Sequence, residues 1–310
     1  MKHQQMIMPL MMYVCYMIEL AAVRSLRAVD AHGSVVAAAD ALGFTPSAVS
    51  QQVKRLERQA GVPLLERVGR GVMLTRQGRH LVDEGGRLLI ELEAVESRLR
   101  SQTDEVVGRL EVVAFSTAMR GLVAPRVPAL LEAHRGLDLA FSEQEPWDTV
   151  DLVASGQADV GLVHSWGDVP LEIPDHLETT ALGDDVADVV VPSTHRLARR
   201  RRVTPHDLVD EPWVATPPGT ICRQWLTRMY QGTGRLPLIA HQSMEFQSHL
   251  ALVRAGLGIA LIPRLGREPL TDGLVAVEAT DPRPTRRIVA VHRRSMSASP
   301  AVRAVLDALA

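Results

Sequence analysis

Cysteine is nearly absent from this chain: among 310 residues there are only Cys15 and Cys222, far apart. Neither has a partner at metal-ligand spacing. That argues against a disulfide framework and a zinc site and suits a reducing compartment. No apolar run is long enough to cross a bilayer. The run from Met6 to Ile18 falls short of the about 20 residues a span needs, and Pro9 interrupts it. It lacks a small-x-small cleavage site, so an export signal is a poor reading. Residues 1–16 are expected to be a dispensable leader, either disordered or translated from an early start. There is no Gly-rich phosphate loop, no G-x-S-x-G elbow and no H-E-x-x-H pair, and His164, His195, His206, His241 and His249 are scattered. Catalytic chemistry therefore has no foothold in the sequence, and no metal or cofactor is expected. An excess of one charge sign is missing too, because the formal net charge is -2.

Against that neutral background one stretch stands out. Thr45 is a good N-cap, and Pro46 suits the first helical position, where its missing N–H costs nothing. From there Val49, Val53 and Leu56 form one apolar stripe. At 100° per residue the opposite face carries Ser47, Gln51, Lys54 and Arg58, hydrogen-bonding side chains with no carboxylate among them. Upstream, Ser34 can cap a helix over Val35–Leu42, and Gly43 supplies the positive φ that ends it. Two short helices around a glycine turn, the second one rich in donors, make a helix-turn-helix; an ordinary αα-hairpin inside a core is the alternative. The residues that follow favour the first reading. Gly61–Arg67 and Val68–Thr75 spell strand, basic glycine turn and strand, the wing of a winged helix. Lys54, Arg55, Arg58, Arg67, Arg70, Arg76 and Arg79 face only Glu57 and Glu66 in this region. Such a local excess of cations suggests phosphate contact confined to this module.

The ordered run Ala38-Ala-Asp-Ala-Leu42, Ser47-Ala-Val-Ser50, Leu56-Glu57, Gly61-Val-Pro-Leu-Leu-Glu-Arg67, Gly69-Arg-Gly71 and Leu74-Thr75 resembles the DNA-binding domain of LysR-type transcriptional regulators. Further matches at Gly156-Gln-Ala-Asp-Val-Gly-Leu-Val163 and Gly256-Leu-Gly-Ile-Ala-Leu-Ile-Pro263 extend the resemblance to nearly the whole chain after its first residues. It implies an α/β protein with an N-terminal all-α winged helix-turn-helix at 17–75 and a linker and dimerisation helix at 76–106. A two-lobed effector domain like that of type 2 periplasmic binding proteins would follow, with lobe I at 108–167 and 268–310 and lobe II at 168–267. It further implies that Ser50 touches DNA beside Thr45, Ser47, Gln51, Lys54, Arg55 and Arg58, with Arg67 and Arg70 on the wing.

The residues themselves carry part of this. Leu81, Gly85, Leu88, Leu92, Val95 and Leu99 alternate by four and three along a helix predicted over about Arg76–Gln102, the pattern of a paired helix. Packing of that stripe onto its own domain is the alternative. Gly85-Gly86 permits either close helix approach or a bend. From Gly108 strands alternate with helices, which implies parallel sheet. Ligands in such folds sit at carboxyl ends of strands near helix N-termini. Ser116 and Thr117 hold that place after the first strand, Trp166 after the third, Thr216 after the Trp213 strand, and Ser243, Met244 and Phe246 after Leu238–His241. Each of these can instead cap a helix or fill a gap. An anionic or aromatic small molecule is the expected effector. Arg199-Arg-Arg-Arg202 reads first as a solvated loop and second as a further DNA contact. The expected partners are double-stranded DNA, the effector, a second copy of the chain in a dimer or tetramer, and RNA polymerase, all in the cytoplasm with no membrane. A solute-binding protein or an enzyme with a helical module remains the rival reading.

Overall fold

The computed structural model describes residues 17–68, 71–101, 105–270 and 273–310. The leader 1–16 with Cys15, and Arg70 in the wing turn, lie outside the described residues. The chain forms two compact units, one ending at Val95 and one beginning at Glu96.

In the first unit α1 (Leu20–His32) buries Val23, Leu26 and Val29. In α2 (Val35–Leu42) the Ser34 hydroxyl accepts the Ala37 N–H at 3.1 Å, and Gly43 ends the helix at φ 68°. For α3 (Pro46–Ala60) the Thr45 hydroxyl accepts the Ala48 N–H at 3.2 Å, while Val49, Val53 and Leu56 are buried. Burying a side chain of this size stabilises by roughly 1.5–3 kcal/mol, so this stripe fixes which face of α3 turns outward. β1 (Leu65–Val68) and β2 (Gly71–Leu74) pair antiparallel, Leu65 opposite Leu74. This is the expected helix-turn-helix with a wing. Glu57, the acid beside the donor face, accepts the backbone N–H groups of Leu64 at 2.9 Å and Leu65 at 3.2 Å, so it ties the wing to α3.

The long helix α4 (Arg76–Arg100) follows. Its first half belongs to this unit's core: Leu89 is buried there, with Leu81 and Val82 packed against it. Leu81 therefore faces its own domain, a correction to its place in the dimer seam. A Cβ on Gly85 would lie 2.5 Å from Val23 Cγ1, so the glycine allows close approach of α4 to α1.

In the second unit β3 (Gly108–Ala114) leads into α5 (Ser116–Ala118), a π-helical turn (Met119–Val123) and α6 (Ala124–Ala133). Then come β4 (Leu137–Glu143), α7 (Pro146–Ser155) and β5 (Val160–Trp166). β6 (Leu177–Pro192) is followed by β7 (Arg202–Val203), β8 (Pro212–Ala215), α8 (Ile221–Met229), β9 (Leu238–Gln242) and α9 (Phe246–Arg254). β10 (Ala260–Pro263), β11 (Leu274–Ala279), β12 (Thr285–Arg293) and α10 (Pro300–Leu309) complete it.

The sheet runs β4-β3-β5-β12-β6-β11-β7, with β10 also on β6 and a separate β8-β9 pair. Parallel pairing holds for β4-β3-β5 and β8-β9, as the alternating pattern requires. The strands joining the lobes are antiparallel: β12 pairs with both β5 and β6. β6 itself crosses between lobes. Its half Leu177–Val186 lies on β12, whereas Ala187–Pro192 lies on β10 and β11. The lobe boundaries read from sequence shift accordingly. Residues 177–186, placed in lobe II, belong by pairing with lobe I, and β11, placed in lobe I, belongs with lobe II.

Candidate nucleic-acid interface and effector site

On α3 the residues Thr45, Ser47, Gln51, Lys54, Arg55 and Arg58 are exposed and Ser50 is half-buried. Gln51, Lys54, Arg55 and Arg58 line an open concavity of about 1040 Å³ that continues to Gly61, Val62 and Pro63. The geometry therefore brings the helix donors and the start of the wing to one surface. Two details modify the expected roles. The Arg55 guanidinium is ion-paired with Glu19 just before α1, so part of its charge is answered within the unit. Arg58 Nε donates to the Lys54 carbonyl at 3.4 Å, which holds its stem along the helix. Arg67 is exposed on β1. The Arg199–Arg202 run is exposed, as the solvated reading has it, though it spans the end of a 3-10 turn and the first residue of β7; Arg200 pairs with Asp207 at 2.6 Å and Arg202 with Glu278 at 3.1 Å.

Along α4 beyond Gly85 the seam is uncovered. Leu88 is 53% exposed, Leu92 39%, Val95 44% and Leu99 60%. A row of leucines left this bare on one chain is unusual unless a partner covers it.

In the second unit the strand ends converge where β6 crosses from lobe to lobe beside the start of β12. Thr117, at the start of α5, is buried and accepts a hydrogen bond from Arg286 Nη2 at 2.7 Å. Arg286 is fully buried on β12. It donates through Nε to Asp185 of β6 at 2.9 Å, and its guanidinium lies 5.1 Å from the Phe115 ring centre and 5.6 Å from that of Trp166. Asp185 also accepts the Val186 and Leu265 N–H groups at 2.8 and 2.9 Å, so one carboxylate joins strand, return strand and the loop after β10. Removing either partner of such a buried pair costs about 3–5 kcal/mol, because the other charge is stranded. His164 of β5 stands edge-on to Phe115 at 4.6 Å. Burial holds its pKa well below the ordinary 6.5, with the nearby Arg286 charge as a second cause, so it is neutral. Across from Arg286, burial and the neighbouring Glu143 and Asp148 push the Glu145 carboxyl above its ordinary range.

Aromatic residues make up only 4% of the chain. Even so, Trp166 stacks on Trp225 at 6.0 Å, and Trp147 packs against the same cluster. Trp166, Thr216 and Phe246 line one small cavity together with Cys222 and His249. Ser116 stands half-buried beside Thr117. Met244 is 47% exposed and does not line the cavity. Ser243 has a local role: its hydroxyl accepts the Glu245 N–H at 3.2 Å and its carbonyl meets His249 Nε2 at 2.8 Å. Sequence reading missed Arg286, Asp185, His164 and Glu145. Their importance lies in meeting across more than a hundred residues of chain, which leaves no local pattern. Burial pushes the Cys222 thiol up to about 12, which disfavours its thiolate form.

Comparison with known proteins decides between the remaining readings. Residues 20–79 match the family model of the bacterial regulatory helix-turn-helix protein, lysR family, and residues 103–310 that of the LysR substrate binding domain. The chain belongs to the LysR family of transcriptional regulators. It is 31% identical over 289 residues to the HTH-type transcriptional regulator CbbR of Xanthobacter flavus, covering 90% of this chain and 83% of that protein. It is 28% identical over 287 residues to a RuBisCO operon transcriptional regulator of Allochromatium vinosum, covering 92% and 93%. A full-length OxyR variant from Pseudomonas aeruginosa superposes with a TM-score of 0.74 at 19% identity, covering 94% and 95%. This regulator is thus a DNA-binding protein with an effector-binding domain, and neither an enzyme nor a solute-binding protein. Among the described residues no helix is long and apolar enough to cross a membrane.

Proposed function

We propose that the regulator reads an operator with α3 in the major groove, its output set by a small molecule held between the two lobes. Ser47, Gln51 and Lys54 reach base edges, and Arg58 acts beside them; Thr45 and Ser50 flank that face. Arg67 and Arg70 of the wing grip phosphates, and Arg55 assists from its pairing with Glu19. The observation that carries this is the exposed donor face of α3 opening onto one concavity with the start of the wing, where the one lining carboxylate, Glu57, is engaged by the Leu64 and Leu65 N–H groups. A row of donors on a helix of this size is what a major groove accepts.

Leu88, Leu92, Val95 and Leu99 pair with the same row of a second copy, so two recognition helices meet two half-sites. The dimer pairs again into a tetramer, RNA polymerase is the downstream partner, and the setting is the cytoplasm. The effector approaches Ser116, Thr117, Trp166, Thr216 and Phe246, with Ser243 and Met244 at the rim. The aromatic walls favour the aromatic half of the expected effector class. By preferring one lobe arrangement it respaces the recognition helices; equal affinity for both arrangements would shift nothing. The deciding experiment is a gel shift on the DNA upstream of the protein's own gene at two salt concentrations, alongside gel filtration. A dimer or tetramer with salt-sensitive binding supports the reading. A monomer indifferent to that DNA rejects it.

A further inference from the structure

The small cavity in the effector unit has a volume of about 20 Å³, room for about one water. Its polar groups are unevenly matched. Trp166 is 1% exposed, and its Nε1–H has no hydrogen-bond partner among the described residues; only the weakly accepting Cys222 sulfur lies beside it. His249 is equally buried. Its Nε2 faces the Ser243 carbonyl at 2.8 Å and therefore carries the proton, so Nδ1 is an acceptor that nothing fills. Thr220 donates to the Pro217 carbonyl at 3.0 Å, so the 2.7 Å contact between hydroxyls is donated by Thr216. Thr216 Oγ1 then also offers lone pairs. The site presents one donor met only by the weak Cys222 sulfur acceptor and two unfilled acceptors.

The surrounding charge points the same way. The cations nearby are engaged. Arg286 is answered by Asp185, Arg223 reaches the Thr216 carbonyl at 3.2 Å, and Arg120 reaches the Gly266 carbonyl at 3.2 Å. An anion entering here would meet the His249 and Thr216 lone pairs, and the Arg286 charge is already answered by Asp185.

Resting on the regulator reading above, we infer that this cavity is the closed form of the specificity end of the effector site. It takes a neutral flat ring bearing N–H or O–H donors and one acceptor, in preference to a carboxylate. Ring donors fill His249 Nδ1 and Thr216, the ring acceptor meets the edge of Trp166 at Nε1, and one face lies on Phe246. A ring is larger than the void, so it enters only by parting these walls. That requirement gives it unequal affinity for the two states, as an effector needs.

Two ring probes of similar size test this: 2-pyridone, a neutral lactam, and benzoate. Both are titrated by calorimetry at millimolar concentration into the full-length dimer. We expect 2-pyridone to bind and benzoate to bind at least tenfold more weakly. Trp166→Phe keeps a ring and removes the donor, so it should weaken 2-pyridone roughly tenfold. Binding of benzoate in preference, or of neither probe, overturns the inference, as does a Trp166→Phe protein that binds 2-pyridone like the parent. If that variant fails to fold, Thr216→Val and His249→Phe are titrated instead; the single 2-pyridone N–H meets one of the two acceptors, so one of these variants should weaken binding roughly tenfold, and two unchanged variants overturn the inference. Gel shifts on the upstream DNA are run on the same samples. Retained DNA binding with failed probe selectivity sinks only the ligand class, whereas lost DNA binding in the parent protein sinks the regulator reading itself.

Discussion

At the scale of single residues the two sites obey different physics. On α3 each polar side chain is solvated and gains its meaning only when a duplex replaces water. Gln51 is the sharpest case, since its amide can both donate to and accept from one adenine edge. Gln51→Ala is expected to lose roughly 1–3 kcal/mol at one base position per half-site and little elsewhere. Competition gel shifts with singly substituted operators would show it, and a uniform loss over all sequences would make Gln51 a backbone contact. In the effector unit the residues are buried, and protonation becomes a lever on stability. His164 is held neutral by burial and by Arg286, with its folded pKa well below the ordinary 6.5. The unfolded chain takes up a proton near that ordinary value while the folded one does not. Stability contributed by the neutral ring is therefore present above about pH 6.5 and is lost as pH falls below it, by at most about 1.4 kcal/mol per pH unit for one proton. Urea melts of the parent at pH 7.5, 6.5 and 5.5 should slope downward, and His164→Leu should flatten the slope by about one proton. An unchanged slope would show that His164 titrates normally.

At the scale of elements, legibility followed range of interaction. Capped helices such as α2 and α3 were readable because Ser34, Gly43, Thr45 and Pro46 act within four residues of the ends they set. The Trp213 strand, β8, was readable as part of the alternation of strands with helices. The length of β6 was not, because its halves are stabilised by different partners, β12 on one side and β10 with β11 on the other. The same limit hid Asp185 and Arg286, which meet only after β12 returns. The seam of α4 shows a subtler failure. Its four-three alternation continues through Leu81 and Gly85, yet those positions serve intrachain packing, and a repeat alone cannot say which neighbour each turn faces. The uncovered part begins at Leu88. Leu92→Glu would put like charges opposite each other at the middle of a paired seam while touching no core residue. The variant should keep the parent's helix content by circular dichroism, because Leu92 belongs to no core cluster of its own chain, while its melting temperature loses the part that depends on protein concentration. In sedimentation it should nevertheless shift from dimer toward monomer. A variant that remains dimeric would show that copies meet elsewhere.

For the whole molecule the near-neutral charge carries an argument of its own. With a formal net charge of -2, the chain has no general attraction for DNA, so affinity must arise at the few places where cations stand out locally. Each phosphate neutralised by a side chain releases counterions and contributes about -0.9 to the slope of log affinity against log salt. Arg67, exposed on β1, is proposed to make one such contact in each copy. In a dimer Arg67→Gln should therefore make that slope shallower by about two, weakening binding almost equally on specific and scrambled DNA. A monomer would change by about one. The size of the change thus counts the copies engaged, independently of any sedimentation result, and a slope that does not move would place Arg67 away from the backbone. Gln51→Ala should leave the same slope unaltered while narrowing the gap between specific and scrambled DNA. The two variants together separate the grip on the duplex from the reading of its sequence.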